Sequence, residues 1–115
     1  MLIEAKIIEY LAQTLGCEVF AELPEVVPTE KFVLITVVNR SKSNQISRVT
    51  IDIYSYADSK AECAALDGLV RQFMPIMAGL NEISSCRQTN GDDVPDVWLN
   101  KYRYRSVFNI VYYDD

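Results

Sequence analysis

The chain contains no histidine. That absence removes the commonest general base near neutral pH and excludes Ser-His and Cys-His nucleophiles outright. Its three cysteines, Cys17, Cys63 and Cys86, are odd in number and far apart, with no Cys-x-x-Cys pair. A zinc site would need an unusual ligand set. Three free thiols fit a reducing compartment and the role of small half-buried fillers. The four glycines are scattered singly, so no glycine-rich phosphate loop is present. No apolar run approaches the ~20 residues that span a bilayer. The start, Met1 to Lys6, places Glu4 in the first turn and lacks the basic beginning and small-residue cleavage site of a signal peptide. The expectation is a protein made and kept in a cytosol. Repeats and low-complexity segments are also absent.

What is present suits one domain over residues 1–115, half of them hydrophobic and 23% charged. A chain of this size buries roughly 60–70% of its extended surface and holds one core without metals or disulfides. The net charge of −5 argues against a whole-surface nucleic-acid binder, which needs a basic footprint.

Ile3, Ile7, Leu11 and Leu15 fall four apart and predict a helix, ended by Gly16 in a left-handed conformation. Alternation over Cys17–Glu22 predicts a short strand, and Pro24 and Pro28 make the next stretch a loop. Lys31–Asn39 is rich in Phe, Val, Ile and Thr and reads as a strand with both faces largely covered. Residues 40–44 read as a polar turn, and Gln45–Tyr56 as the return strand. Val49, Ile51 and Ile53 face inward there, with Arg48, Thr50, Asp52, Tyr54 and Tyr56 on the other side. A second helix opens at Asp58-Ser59-x-x-Glu62, a capping-box pattern. Its expected buried stripe is Leu66, Leu69, Val70, Phe73 and Met77, closed by Pro75 and Gly79. Glu82–Asn90 reads as an edge strand, Asn90–Asp96 as a turn and Tyr102–Tyr113 as a final strand. The expected fold is α+β in the order α-β-β-β-α-β-β. It has a mainly antiparallel four- to five-stranded sheet with two helices packed on one side.

Asp92, Asp93 and Asp96 lack the spacing of a calcium loop and read as solvated turn carboxylates. Lys101, Arg103 and Arg105 form a basic row on one face of the last strand, and Arg40, Lys42 and Arg48 cluster at the hairpin tip. Either set suits phosphate, edge protection or a protein contact. Tyr54 and Tyr56 offer an amphipathic face of the kind enriched at interfaces. No convergent acid–base group supports an enzyme, and no catalytic residue, cofactor or metal is expected.

Several local signatures together resemble the tail terminator (tail completion) proteins of long flexible-tailed bacteriophages. They are the helix Ile3–Leu15, the Pro24–Pro28 loop, and Phe32-Val33-Leu34-Ile35. Further on come Ile51-Asp52-Ile53-Tyr54-Ser55-Tyr56-Ala57-Asp58-Ser59 with its alanine-rich helix, Pro95-Asp96, and Arg103-Tyr104. The match covers nearly the whole chain. It departs at residues 39–44, which lack the expected glycines, and at 82–90. The resemblance implies a virion protein assembled in the bacterial cytoplasm. It would form a ring, typically a hexamer, on the head-proximal end of the tail tube, stopping polymerisation and receiving the head-completion protein. It implies no cofactor, no membrane, and DNA only as cargo passing through the channel. A ring needs heterologous contacts. The acidic set Asp92, Asp93 and Asp96 is the expected complement of Lys101, Arg103 and Arg105 on the next copy, with Tyr54, Tyr56, Arg40 and Lys42 as further contact residues. Another neck or head–tail joining component, and a cytosolic binding module using the tyrosine-lined face, stay open as alternatives.

Overall fold

The computed structural model describes residues 2–80 and 82–113. Helix α1 (Ile3–Leu15) leads into β1 (Glu18–Phe20). Strands β2 (Phe32–Ser43) and β3 (Ile46–Ala57) then form a hairpin. Helix α2 (Lys60–Phe73) runs into a 3₁₀ turn (Met74–Gly79), and β4 (Ile83–Asp93) and β5 (Tyr102–Tyr113) form a second hairpin. The five strands make one sheet in the order β1-β2-β3-β5-β4. Three of its pairings are antiparallel, but β1 runs parallel to β2, so the sheet is mixed. The reason lies in the connection. The proline-containing segment 21–31 carries the chain back before β2 starts, whereas a tight turn would have forced antiparallel pairing.

Ile3, Ile7 and Leu11 of α1 and Leu66 and Val70 of α2 share one core with Val33, Ile35, Val49, Ile51, Ile53, Phe108 and Ile110 of the sheet. Both helices therefore cover the same sheet face. Each of these buried apolar side chains contributes about 1.5–3 kcal/mol relative to exposure. Gly16 ends α1 at φ 66°, where its amide bonds the Ala12 carbonyl at 3.1 Å. Ser59 Oγ caps α2 by accepting from the Glu62 amide at 3.1 Å, and Pro75 falls in the 3₁₀ turn that follows. The buried stripe of α2 differs from expectation. Asp67 is buried in it while Leu69 is exposed.

Two predicted turns move. β2 continues to Ser43, and the chain reverses at Asn44 and Gln45, whose φ values of 53° and 68° are those of a type I′ hairpin. The polar run at 40–44 is thus mostly strand. Residues 90–93, read as a turn, also belong to a strand. The Arg71 guanidinium lies over Gly91; a Cβ there would stand 2.4 Å from Nη2. Arg71 Nε bonds the buried Asp67 carboxylate at 2.7 Å, and Ser106 Oγ donates to that carboxylate at 2.7 Å. This network fastens α2 to β5.

Candidate contact surface

The sheet face away from the helices is built by register. Phe32, Tyr56 and Arg103 align across β2, β3 and β5, and Leu34, Tyr54, Arg105 and Asp92 align one step along. Phe20 meets Phe32 edge-on, and Phe32 stacks on Tyr56 at 4.5 Å between ring centres. Arg103 lies over the Tyr54 ring at 4.9 Å. Tyr56, expected as an outward contact, is only 2% exposed. Phe32 and the β4–β5 connection enclose it, so it braces this face and is not available to a partner. Tyr54 is half-buried, its hydroxyl on Asp52 at 3.3 Å. Burial pushes both phenols up, with the Asp52 carboxylate adding to the effect at Tyr54.

The acidic and basic sets come together inside one chain. Asp92 accepts two bonds from Arg105, both at 2.9 Å. This pairing raises the Arg105 pKa. Asp93 stands 3.6 Å from Lys60, and Lys101 Nζ bonds Asp58 at 2.6 Å. Asp96 makes the most contacts. One oxygen accepts the amides of Trp98 and Leu99 at 3.1 Å each; the other takes the Tyr56 hydroxyl at 3.2 Å and lies 3.6 Å from Arg103. Arg103 Nε also donates to the Val94 carbonyl at 2.8 Å. These charges brace the β4–β5 hairpin, because the true reversal lies at 97–100 and sets Asp92 directly opposite Arg105.

What that bracing presents is a tip that composition alone did not single out. Backbone bonds between Asp96 and Lys101 close the loop, and Asn100 turns it at φ 55°. Val97 is 82% and Trp98 94% exposed. The Asp-x-Trp-Leu spacing, a carboxylate able to cap the next two or three amides, was the available signal. Beside the tip, Asp58, Pro95 and Asn100 line a hollow of about 380 Å³.

The other hairpin is different in kind. Arg40 and Lys42 lie on the helix-bearing side, opposite Val49 and Ser47, while Arg48 projects from the other face. The three do not form one cluster. Arg40 pairs with Glu4 of α1. Arg48 is exposed and makes no ion pair among the described residues. Among those residues, too, no strand pairs with the outer edge of β2 beyond Leu34. The opposite edge, β4, is interrupted by irregularities at Ser84 and Thr89, which deter strand addition.

Burial pushes the Cys63 thiol up to about 11 and Cys86 to about 12, so both stay protonated near neutrality. No group of three or more Cys, Asp or Glu side chains is placed to hold a metal among the described residues. No helix there is long and apolar enough to cross a membrane. No protein-family model matches the chain, and a search of curated proteins finds no match.

Proposed function

We propose that this protein is a structural component of a bacteriophage tail. In this reading it caps the head-proximal end of the tail tube as a homo-oligomeric ring, stops tube growth and offers the surface that receives the head. It works as a virion part assembled in the bacterial cytoplasm, by contact and without a cofactor. The observation that carries the contact role is the Val97–Trp98 tip. An indole held out in water on a hydrogen-bonded turn has the character of an interface anchor, since Trp leads the residues that dominate binding energy. The resemblance of the sequence to tail terminators supports tube capping as the assembly this anchor serves.

The test is tube length. Purified protein added to polymerising tail-tube subunits is expected to arrest growth, leaving short tubes with a ring at one end by negative-stain microscopy. Deleting the gene from the phage is expected to give over-long, headless tails. Tails of normal length without heads would point instead to a joining component of the neck. Normal infectious virions would end both readings.

A further inference from the structure

The charge along the chain is segregated in a way that the paired carboxylates of the second hairpin conceal. From Lys31 to Ile51 there are four basic residues and no acidic one. From Ile7 to Glu30 there are five glutamates and no basic residue. Lys31 lies beside Glu18 and Glu30, and Glu4 pairs with Arg40. Otherwise Glu18, Glu22, Glu25 and Glu30 lie toward one end of the sheet and Arg40, Lys42 and Arg48 toward the other. Glu18 and Glu30 flank the Phe32 end of β2, whereas Arg40 and Arg48 lie near the Asn44 turn, about 30 Å away at the ordinary rise per strand residue. Glu18, Glu22, Glu25 and Glu30 are all exposed and outside any ion pair among the described residues. The Trp98 tip belongs to the acidic end, tied to the aromatic row through Tyr56 and Asp96.

At the basic end lies a hollow of about 310 Å³ whose walls include Arg40, Arg48, Thr50, Asn109 and Val111. It is large enough for an indole and carries the exposed Arg48 guanidinium, which has no carboxylate partner among the described residues. An Arg over a Trp face is the most favourable pairing of its kind, and the chain already uses the motif where Arg103 covers Tyr54.

We propose that the occupant of this hollow is a second copy of the chain. Trp98 of one copy seats against Arg48 of the next, and the glutamates of the 18–30 segment face that copy's basic hairpin. The two patches are different and sit at opposite ends of the molecule. The contact is therefore heterologous, the type that closes into rings or runs on as filaments. The proposal rests on the self-assembly reading above and names its anchor.

Trp98 is the only tryptophan among seven tyrosines, so fluorescence excited beyond the tyrosine absorption band reports on it alone. As protein concentration is raised through the assembly transition followed by sedimentation velocity, its emission is expected to move to shorter wavelength and its quenching by iodide to fall. Trp98→Ala and Arg48→Glu should each weaken association at least about tenfold, and raised salt should weaken it in the parent. Mixed one to one, the two variants should form a dimer that grows no further, since one intact contact remains. Emission that stays unchanged through assembly, or variants that assemble like the parent, would overturn the anchor while leaving the ring intact. A chain monomeric at every concentration would also overturn it, and tube-length arrest would then decide the function separately. Emission that responds to a single-stranded oligonucleotide but not to protein concentration would assign the indole to base stacking and overturn the second copy as occupant.

Discussion

The two hairpins of this sheet handle charge in opposite ways. In β4–β5 every acid near the tip has a cation inside the same chain: Asp92 with Arg105, Asp93 with Lys60, Asp96 with Arg103. Those pairs hold the loop, and what the loop offers outward is apolar. In β2–β3 the turn is made by backbone conformation at Asn44 and Gln45, and Arg48 is left facing water. One hairpin is braced by ion pairs at its own tip and exposes an indole; the other turns on backbone conformation, ties Arg40 to Glu4 of α1, and leaves Arg48 exposed. Ion pairs counted from sequence therefore do not indicate which charges are left facing water.

The comparison breaks most severely at Asp96. Replacing it with Ala removes the cap on two amides, the partner of the buried Tyr56 hydroxyl and the counter-charge of Arg103. The expected loss is about 2–4 kcal/mol, read as a lower urea midpoint at unchanged slope. Amide exchange at Trp98 and Leu99 should speed up beyond what the global loss explains. If the tip stays protected, its order comes from elsewhere.

Next in size is the latch beneath the same hairpin. Arg71→Ala leaves Asp67 buried with only Ser106, at a cost of about 2 kcal/mol once the half-exposed guanidinium is discounted. Gly91→Ala is expected to cost less than about 1 kcal/mol, because the Cβ meets Arg71 Nη2, the far end of a flexible, partly exposed side chain that can shift. In the Arg71→Ala background that second cost should nearly vanish, and a double-mutant cycle measures the coupling. Additive losses would mean that the added Cβ and Arg71 do not meet.

Tyr56→Phe separates packing from polarity in the braced hairpin. It keeps the stack on Phe32 and loses the bond to Asp96, for about 1 kcal/mol near neutrality. Burial raises the folded-state pKa of this phenol above the ordinary 10.0. The unfolded chain therefore releases the proton first, and the stability tied to Tyr56 is present below pH 10 and lost as pH climbs through the folded value. The variant should show a shallower alkaline decline in chemical denaturation.

Legibility from sequence follows the range of the cause. Gly16, the Ser59/Glu62 cap and Pro75 act on neighbouring residues, and the helix ends fall where those residues indicate. The alternation of Tyr104, Phe108, Ile110 and Tyr112 bounded the last strand correctly for the same reason. Gly91 misled because Asn-Gly-Asp-Asp has turn composition, while its glycine lies beneath an arginine twenty positions earlier. The direction of β1 was equally hidden, since three residues carry no mark of parallel or antiparallel pairing. Placing the reversal early, at 90–96, also hid the pairing of Asp92 with Arg105. That made an internal brace look like a patch awaiting a neighbour. Trp98 stood in a short apolar run, where burial is the ordinary expectation; its exposure follows from the Asp96 cap.

The smallest effects belong to the β2–β3 hairpin. Gln45 is a side-chain-bearing residue at φ 68°, a conformation that glycine adopts at no steric cost. Gln45→Gly creates the Asn-Gly pair that type I′ turns prefer. It should stabilise the monomer by about 0.5–1 kcal/mol after the added freedom of the unfolded chain is subtracted. Arg48→Ala, by contrast, removes an exposed side chain that makes no ion pair among the described residues. The thermal midpoint of the monomer should stay within the shift set by about 0.5 kcal/mol. The two substitutions sit three residues apart and act on different quantities. On the self-association proposed above, the first is expected to change monomer stability alone and the second association alone. An Arg48→Ala monomer that melts markedly lower would show that this charge, too, is engaged within the chain, and the contrast between the hairpins would disappear.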